Sequence, residues 1–353
     1  VVWFMVAALL APPLIIAAIY YAARFDVRSQ IRLLQYACLG FLLLSFLFLV
    51  IRPETVLQRN YRGLFPFSFR FWGLASHANN LGPLSLFFLI LLVWLPLQRR
   101  WMTIAAGLVG ALALLLSQSK TSILIGAGIA VVLVCRWLIQ QLFSARKPSA
   151  LAVLALLVGI SAVMVLFIAT VLGERHIMSG YDRLFGPHFK LEHLLTGRSR
   201  VWDITMQHWG DSRIFGYGTE LWSPEFAARY GYLGVASNAH NQFIDTLGSS
   251  GIVGFTGLII YLTILAIFSV RLLRVSNGAS LALLLLILLR GYTEVPLKTV
   301  NVTTSDFFMH CAILALFGRA YFDLQRKPAT AAARAPWRSN LLQPSGEPWK
   351  TTP

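Results

Sequence analysis

The chain has 353 residues, of which 57% are apolar and 12% are charged, and its mean hydropathy is +0.68. This composition excludes an ordinary soluble domain, in which about 25% of the residues are charged. The formal net charge of +16 would suit a polyanion-binding protein, but the basic residues are scattered between apolar stretches and do not form one basic surface. Nucleic-acid binding is therefore not expected.

Apolar stretches of about 20 residues predict helices that cross a bilayer, because a helix needs roughly that length to span the hydrocarbon core. The expected fold class is an all-α integral membrane protein with about nine transmembrane helices in this chain. The stretches lie at residues 1–23, 33–51, 81–98, 101–116, 123–142, 150–172, 251–270, 279–294 and 303–322.

Clusters of Arg and Lys fall in every second connection between these spans, and the positive-inside rule places such connections in the cytoplasm. Residue 1 then lies outside, and since the chain starts without Met or a charged leader, we expect an odd number of further spans before it. The extracytoplasmic connections are 52–80, 117–122, 173–250 and 295–302.

The connection at 173–250 is unusually long, at about 78 residues, and its many Trp and Tyr residues predict a folded, helical extracytoplasmic cap. We expect a first cap helix from Ser199 to Trp209, with Thr196 or Ser199 as N-cap, and a second from about Asn238 to Gly248. The Gly-rich segment 215–218 should end the first helix. The predicted organisation is six spans in 1–172, the catalytic cap in 173–250, three spans in 251–322 and a disordered, basic cytoplasmic tail in 323–353.

The most specific pattern is His240-Asn241, followed after nine residues by Gly251-Ile252-Val253-Gly254. Upstream lie Gly197-Arg198, Trp202 and Phe215-Gly216-Tyr217-Gly218. In order and spacing these elements resemble the family of O-antigen ligases and O-antigen polymerases. Two further stretches, 70–82 and 117–121, fit more loosely, and Lys120 stands where the family often has Arg.

The resemblance implies transfer of a glycan from an undecaprenyl diphosphate carrier to a hydroxyl group, at the periplasmic face of a bacterial inner membrane. The acceptor would be lipid A core for a ligase or another glycan for a polymerase, and membrane lipids surround the protein. Such a reaction needs a base near the hydroxyl and cations near the diphosphate.

His240 is the predicted general base, because imidazole is the side chain whose charge ordinarily changes near neutral pH and this residue lies where the cap meets the membrane; the alternative is a structural, hydrogen-bonded histidine. Arg198 is the second predicted catalytic residue. Arginine binds phosphate oxygens in a bidentate fashion, and the extracytoplasmic position of several arginines runs against the positive-inside rule. The predicted substrate-binding residues are Arg70, Arg200, Arg213, Lys120 and Asn241.

Charged residues also occur in or near the last two spans, where charge is costly and usually paired. Arg290 and Glu294 have helical i, i+4 spacing, which favours an ion pair between them. The large loop has no zinc-type pair or HExxH helix, and the chain has no P-loop, GxGxxG or GxSxG motif. We therefore expect a metal-independent transfer without a cofactor.

Several functions remain open at this point. Ligase, polymerase and protein O-oligosaccharyltransferase share the domain, and the spacing of the His-Asn and Gly-x-x-Gly elements favours the ligase. A transporter or flippase for lipid-linked glycans would also have many spans and buried charges, but it would not need an aromatic-rich cap of about 78 residues.

Overall fold

The computed structural model of the protein describes residues 20, 25–61, 65, 68–75, 77–144, 198–229, 238–297 and 305–326. Within them the chain forms nine α-helices, two short 3-10 turns at Pro53–Thr55 and Gly218–Trp222, and one antiparallel strand pair, β1 (Leu57–Arg59) with β2 (Phe69–Phe71). The helices are α1 (Val27–Ile51), α2 (Ala78–Trp94), α3 (Arg100–Leu116), α4 (Lys120–Ser144), α5 (Arg198–Asp211), α6 (Pro224–Arg229), α7 (Gln242–Leu272), α8 (Ala279–Thr293) and α9 (Ser305–Arg326).

The all-α prediction is confirmed for the described residues, and seven of the nine predicted spans coincide with helices α1 to α4 and α7 to α9. Three helical segments are long and apolar enough to cross a membrane: Val27–Ile51, Lys120–Leu138 and Gln242–Leu272. The predicted spans 1–23 and 150–172 lie outside the described residues, apart from Tyr20. Helix α9 runs to Arg326 and so includes the first four residues of the predicted tail, while residues 327–353 lie outside the described part of the chain.

Helix α2 is the centre of the bundle, packed against α1, α3, α4, α8 and α9. It is apolar on all sides, which is the pattern of a helix enclosed by other helices, and Leu81, Phe87, Phe88 and Leu91 are fully buried. Gln35 of α1 donates two hydrogen bonds to carbonyl groups at the end of α2, those of Leu91 at 2.9 Å and Leu95 at 2.6 Å. The bond to Leu95 satisfies a carbonyl that lies at the helix end, whereas the Leu91 carbonyl also accepts from the Leu95 N–H at 3.0 Å.

The four predicted extracytoplasmic connections, 52–80, 117–122, 173–250 and 295–302, lie at one end of the bundle as far as the structure describes them. The connection before α2 contacts the α3–α4 turn through Arg70 Nε and the Ser117 carbonyl at 2.8 Å. Asn79 and Arg198 both donate to Glu294 at the end of α8. The alternation read from the sequence thus groups these connections as the structure does.

The predicted second cap helix (238–248) and the seventh predicted span (251–270) both fall on α7, which begins at Gln242, and the expected boundary between them coincides with the interruption of the helix at Gly251. Gly251 interrupts the helix with φ 60° and ψ −160°, a conformation open to glycine but not to other residues. The chain bends there without leaving the helix for a loop. The first cap helix is confirmed as α5, and it ends at Asp211, shortly before the predicted Gly-rich break; Thr196 lies outside the described residues.

Candidate functional site

Glu294 is the centre of a charged cluster at this end of the bundle. Its Oε1 accepts hydrogen bonds from Arg198 Nη2 at 2.9 Å and from Asn79 Nδ2 at 3.0 Å. Its Oε2 lies 3.1 Å from Nδ1 of His240. The carboxylate therefore joins the cap, the start of α2 and the end of α8 at one point.

The surroundings of Glu294 favour its ionised form. Burial alone would raise the pKa of this carboxyl group, but the hydrogen bond from His240 and the charges of Arg198 and Arg290 outweigh it and hold the pKa below its usual value. A carboxylate with a side chain only 13% exposed would be costly to bury without such partners. The site thus contains a fixed negative charge beside the imidazole of His240.

His240 is held in a conformation that points one ring nitrogen at Glu294. Its φ is +48°, in the left-handed region, and its backbone N–H donates to Asn238 Oδ1 at 2.8 Å. Because ionised Glu294 can only accept a hydrogen bond, Nδ1 must be the donor, and in the neutral ring Nε2 keeps its lone pair. The side chain is 35% exposed. His240 thus has the tautomer and the accessibility that a general base needs.

Asn241 is the N-cap of α7. Its Oδ1 accepts from the backbone N–H groups of Phe243 at 2.9 Å and Ile244 at 3.1 Å, and its Nδ2 donates to the Tyr292 carbonyl at 3.1 Å. Asn is among the preferred N-cap residues because its short side chain reaches these free donors. Asn241 was predicted to bind substrate, but its side chain is only 3% exposed. Its bond to Tyr292 instead links the residue after His240 to α8.

The peptide before His240 is fastened by the cap and by α7. Trp202 of α5 donates from Nε1 to the Ala239 carbonyl at 2.7 Å, and the Ala239 N–H donates to Asp245 Oδ1 at 2.9 Å. The Trp202 ring also meets the Tyr292 ring edge to face, with centroids 6.0 Å apart. These contacts give the motif residue Trp202 a positioning function for the histidine.

Arg70 supports the cluster from β2. Its Nε donates to the Ser117 carbonyl, its Nη2 donates to Asn79 Oδ1, and its guanidinium lies 4.9 Å from the centre of the Tyr61 ring. The side chain is buried, and two of its three nitrogens are bonded to the protein. Asn79 thus connects Arg70 to Glu294.

His77 is the N-cap of α2, with Nδ1 accepting from the Asn79 N–H at 3.1 Å. Burial lowers its pKa, and the charge of Arg70 lowers it further, against an opposing effect of Glu294. An acceptor Nδ1 requires a ring without a proton on that nitrogen, so the cap and the lowered pKa both favour neutral His77.

Arg290 does not form the ion pair that its spacing predicts. Its Nη2 bonds to Asp306 Oδ2 at 2.9 Å, and its Nη1 donates to the Asn79 carbonyl at 2.8 Å. The prediction is wrong because α8 ends at Thr293 and Glu294 is extended, with φ −147° and ψ −179°. The i, i+4 geometry needs both residues on one continuous helix.

Lys120 follows the α3–α4 turn, which Arg70 contacts through the Ser117 carbonyl. It is the first residue of α4, three residues after Ser117, whose carbonyl accepts from Arg70. Its side chain is half-buried. The structure therefore places Lys120 on the same end of the bundle as His240.

Arg213 lies at the other end of α5, about 20 Å from Arg198 at 1.5 Å per helical residue. It is exposed, donates to the Gly210 carbonyl at 3.3 Å and stands 6.0 Å from the centre of the Trp209 ring. Arg200 belongs to α5, but its side chain lies outside the described part of the chain. Of the predicted residues, the structure brings Arg70, Arg198, His240 and Asn241 into one network.

Sequence reasoning did not assign Glu294 or Asn79 to the site. Glu294 had a usable signal, because it is an acid at the same predicted end of the bundle as His240. Asn79 had only a weak one, namely its position two residues after His77 at the start of an apolar helix. Both residues act by contacts between distant segments, and such contacts leave no local pattern.

The chain was compared with known proteins. Residues 105–259 match the model of the family described as O-antigen ligase. This segment includes Lys120, Arg198, His240 and Asn241, whereas Arg70, Asn79 and Glu294 lie outside it. No match was found among curated proteins.

Proposed function

We propose that the chain transfers a glycan from an undecaprenyl diphosphate carrier to lipid A core, and the match of residues 105–259 to the O-antigen ligase family supports this proposal. The observation that carries this proposal is the pairing of His240 with Glu294. A carboxylate that orients a histidine, with the second ring nitrogen accessible, is the arrangement of a general base that activates a hydroxyl group.

In the proposed step, the acceptor hydroxyl oxygen attacks the anomeric carbon of the donor glycan, and the hydroxyl proton moves to Nε2 of His240. The bond from that carbon to the diphosphate oxygen breaks, and its electron pair stays on the departing carrier diphosphate. Glu294 fixes the tautomer of His240 and stabilises the imidazolium that forms.

Cationic residues at the same end of the bundle are proposed to stabilise the diphosphate. Arg198 donates to the Thr293 carbonyl and to Glu294, so it is rigidly placed beside His240. Lys120 stands at the start of α4, where the helix dipole also favours an anion. Arg70 and Arg200 remain predicted substrate-binding residues, whereas Arg213 lies apart from this network. We propose that Asn241 acts by holding His240 in place.

The proposed location is a bacterial inner membrane, with the site facing the periplasm and the C-terminus in the cytoplasm. Basic clusters in the connections opposite the site, such as Arg99-Arg100 and Arg271 with Arg274, support this orientation, although several arginines also lie on the side of the site. The proposed reaction uses only residues of the chain, without a metal ion or cofactor.

The test is a transfer assay with purified protein, an undecaprenyl diphosphate-linked repeat unit, and lipid A core present or absent. A chelator is added and nucleotides are omitted, and products are resolved by gel and mass spectrometry. Glycan on lipid A core is the expected result. Longer carrier-linked chains without core would make the protein a polymerase, and no product with either acceptor would overturn the proposed reaction.

The informative variant is His240→Asn. Asn tolerates the left-handed conformation of residue 240 better than most residues, so it removes the base and keeps the backbone. We expect a rate loss of about 10²- to 10⁴-fold, the usual contribution of a general base. Full activity in a folded His240→Asn protein would contradict the assignment. Asn238→Ala, which removes only the bond to the His240 N–H, is the matched control for loop distortion.

A further inference from the structure

The turn that follows α5 carries two large apolar side chains on its outer surface. Ile214 is 60% exposed and Phe215 is 73% exposed. Next to them, Ile252 and Val253 of α7 are also exposed. Four neighbouring exposed apolar residues are unusual for a surface that faces water.

Backbone hydrogen bonds fix this turn at the break in α7. The Ile252 N–H donates to the Arg213 carbonyl at 2.8 Å, and the Val253 N–H donates to the Ile214 carbonyl at 3.2 Å. A Cβ atom on Gly251 would overlap the Ile214 carbonyl, so the two backbones meet at the closest approach that glycine allows. The depth of Ile214 and Phe215 in a membrane is therefore tied to that of α7.

The depth of α7 follows from its length. From Ile252 to Leu272 the helix rises about 30 Å, which is the thickness of the hydrocarbon core of a bilayer. Exposed apolar side chains continue along this part of the helix, at Ile259, Ile260, Ile264, Ile267 and Val270. If this segment spans the core, Ile252 and Val253 lie in its first turn, and the turn bonded to them lies at the same level.

Most carbonyl groups of the turn are hydrogen-bonded within the protein. The carbonyl of Ser212 accepts from the Gly216 N–H at 2.9 Å, and the Gly216 carbonyl accepts from Ser212 Oγ at 2.9 Å. The Tyr217 N–H donates to the Gly248 carbonyl at 2.9 Å. With the carbonyls of residues 213 and 214 bonded to α7, four carbonyls of this turn have protein donors. Irregular backbone at membrane depth requires such pairing, because lipid offers no hydrogen bonds.

Polar and aromatic groups border the turn on the side of α5. Trp209 donates from Nε1 to the Arg213 carbonyl at 3.2 Å, and the Arg213 guanidinium lies over the Trp209 ring. Trp and Arg are the residues that proteins place at the headgroup level, the first for its amphipathic ring and the second for lipid phosphates.

We propose that Ile214 and Phe215 insert into the bilayer as a wedge that anchors the cap, with Trp209 and Arg213 at the lipid headgroups. The partner is the acyl-chain region of the same leaflet that receives the start of α7. This inference does not depend on the proposed reaction. Gly251 and Gly216 contribute to the anchor in the same way, because each lacks the side chain that would prevent close contact between the wedge and α7.

The test places an environment-sensitive fluorophore at Phe215→Cys, in a background in which Cys38, Cys135 and Cys311 are replaced. The full chain is reconstituted in phosphatidylethanolamine and phosphatidylglycerol nanodiscs that carry a quencher on the acyl chain near the headgroup. Ile260→Cys on the exposed face of α7 is the positive control, and Glu220→Cys, exposed on the cap, is the negative control.

Blue-shifted emission at residue 215, with quenching at least as strong as at residue 260, which lies about 12 Å deeper along α7, is the expected result. Emission and quenching like those at residue 220 would overturn the proposal. Ile214→Cys repeats the measurement in case the first variant fails to fold. Efficient disulfide formation between two copies through Cys at position 215, with no quenching by lipid, would instead identify a second copy of the chain as the partner.

Discussion

At the scale of single residues, the site depends on how Glu294 distributes its two oxygens. One oxygen is shared by Arg198 and Asn79, and the other faces His240. The three partners belong to α5, α2 and the connection before α7. The orientation of the imidazole therefore depends on how these three segments pack around Glu294. A preorganised group of this kind lowers the cost of reaching the transition state.

The lowered pKa of Glu294 predicts an acid-dependent loss of stability. Its folded-state pKa lies below the unfolded value of about 4.3, so its contribution is complete above that value and is lost as the pH falls through the folded pKa. In Glu294→Gln we expect a loss of about 3 kcal/mol at neutral pH, from unpaired Arg198 and His240, and a weaker dependence on acid. Melting temperatures measured across pH in detergent check both effects, and exposed Glu220→Gln should behave as wild type.

His77 allows a separate test of capping. His77→Ala removes the side-chain acceptor for the Asn79 N–H and should lower the stability by about 1 kcal/mol. His77→Asn keeps a side-chain acceptor for the same N–H group and should lower the stability by only about 0.3 kcal/mol. Thermal unfolding of the two variants side by side gives the answer, and equal losses would mean that the imidazole has contacts beyond the cap.

The sequence predicts His240 and Arg198 because their motif is local, with fixed intervals between its members. It does not predict the partner of His240, because residues 240 and 294 are distant in the chain and meet only through packing. The wrong pairing of Arg290 with Glu294 shows the same limit. Helical spacing holds only while the helix continues, and α8 ends at Thr293, three residues before Pro296.

At the scale of elements, hydropathy predicts the helices well because each long apolar segment must satisfy its backbone internally. Helix starts are predicted less well, since the second cap helix is expected from Asn238 and begins at Gln242. The sequence places the boundary before Gly251 correctly, because a glycine after a polar segment resembles a helix end. The bend depends on the turn after α5, which fills the gap, and this contact is not visible in a local pattern.

Gly251→Ala is expected to destabilise the protein strongly. The φ of +60° alone costs about 1–3 kcal/mol for a residue with a side chain, and overlap of the new methyl group with the Ile214 carbonyl adds to this. Gly257→Ala is the matched control on the same helix, because a Cβ there meets no described atom within 4 Å. This control should be neutral or stabilising by up to about 1 kcal/mol. Similar melting temperatures for both variants would contradict the role given to the bend.

At the scale of the whole molecule, the contacts group the connections before α2, between α3 and α4, before α7 and after α8 at one end. Charge predicts this grouping because clusters of basic residues recur in every second connection, on the other side. The two strands β1 and β2 were not predicted. They are three residues each, too short for an alternating pattern to be distinguished from the surrounding loop.

The orientation of the bundle is testable by thiol labelling in intact cells. Arg59→Cys lies on the end of the bundle that carries the site and should react with a membrane-impermeant maleimide. Asn277→Cys lies at the opposite end and should react only after the cells are opened. Both positions are exposed, so accessibility within the fold does not separate them. The reverse labelling pattern would place the site in the cytoplasm and would exclude a periplasmic reaction.

The position of Glu294 has a consequence for protein engineering. The histidine belongs to the large connection before α7, whereas the carboxylate that holds it is contributed by the far end of α8 and lies beyond the segment shared with the family. Exchanging that connection between relatives, in order to change the acceptor, would separate the two halves of the dyad. A working chimera would have to carry Asn79 and Glu294, or their equivalents, together with the grafted loop.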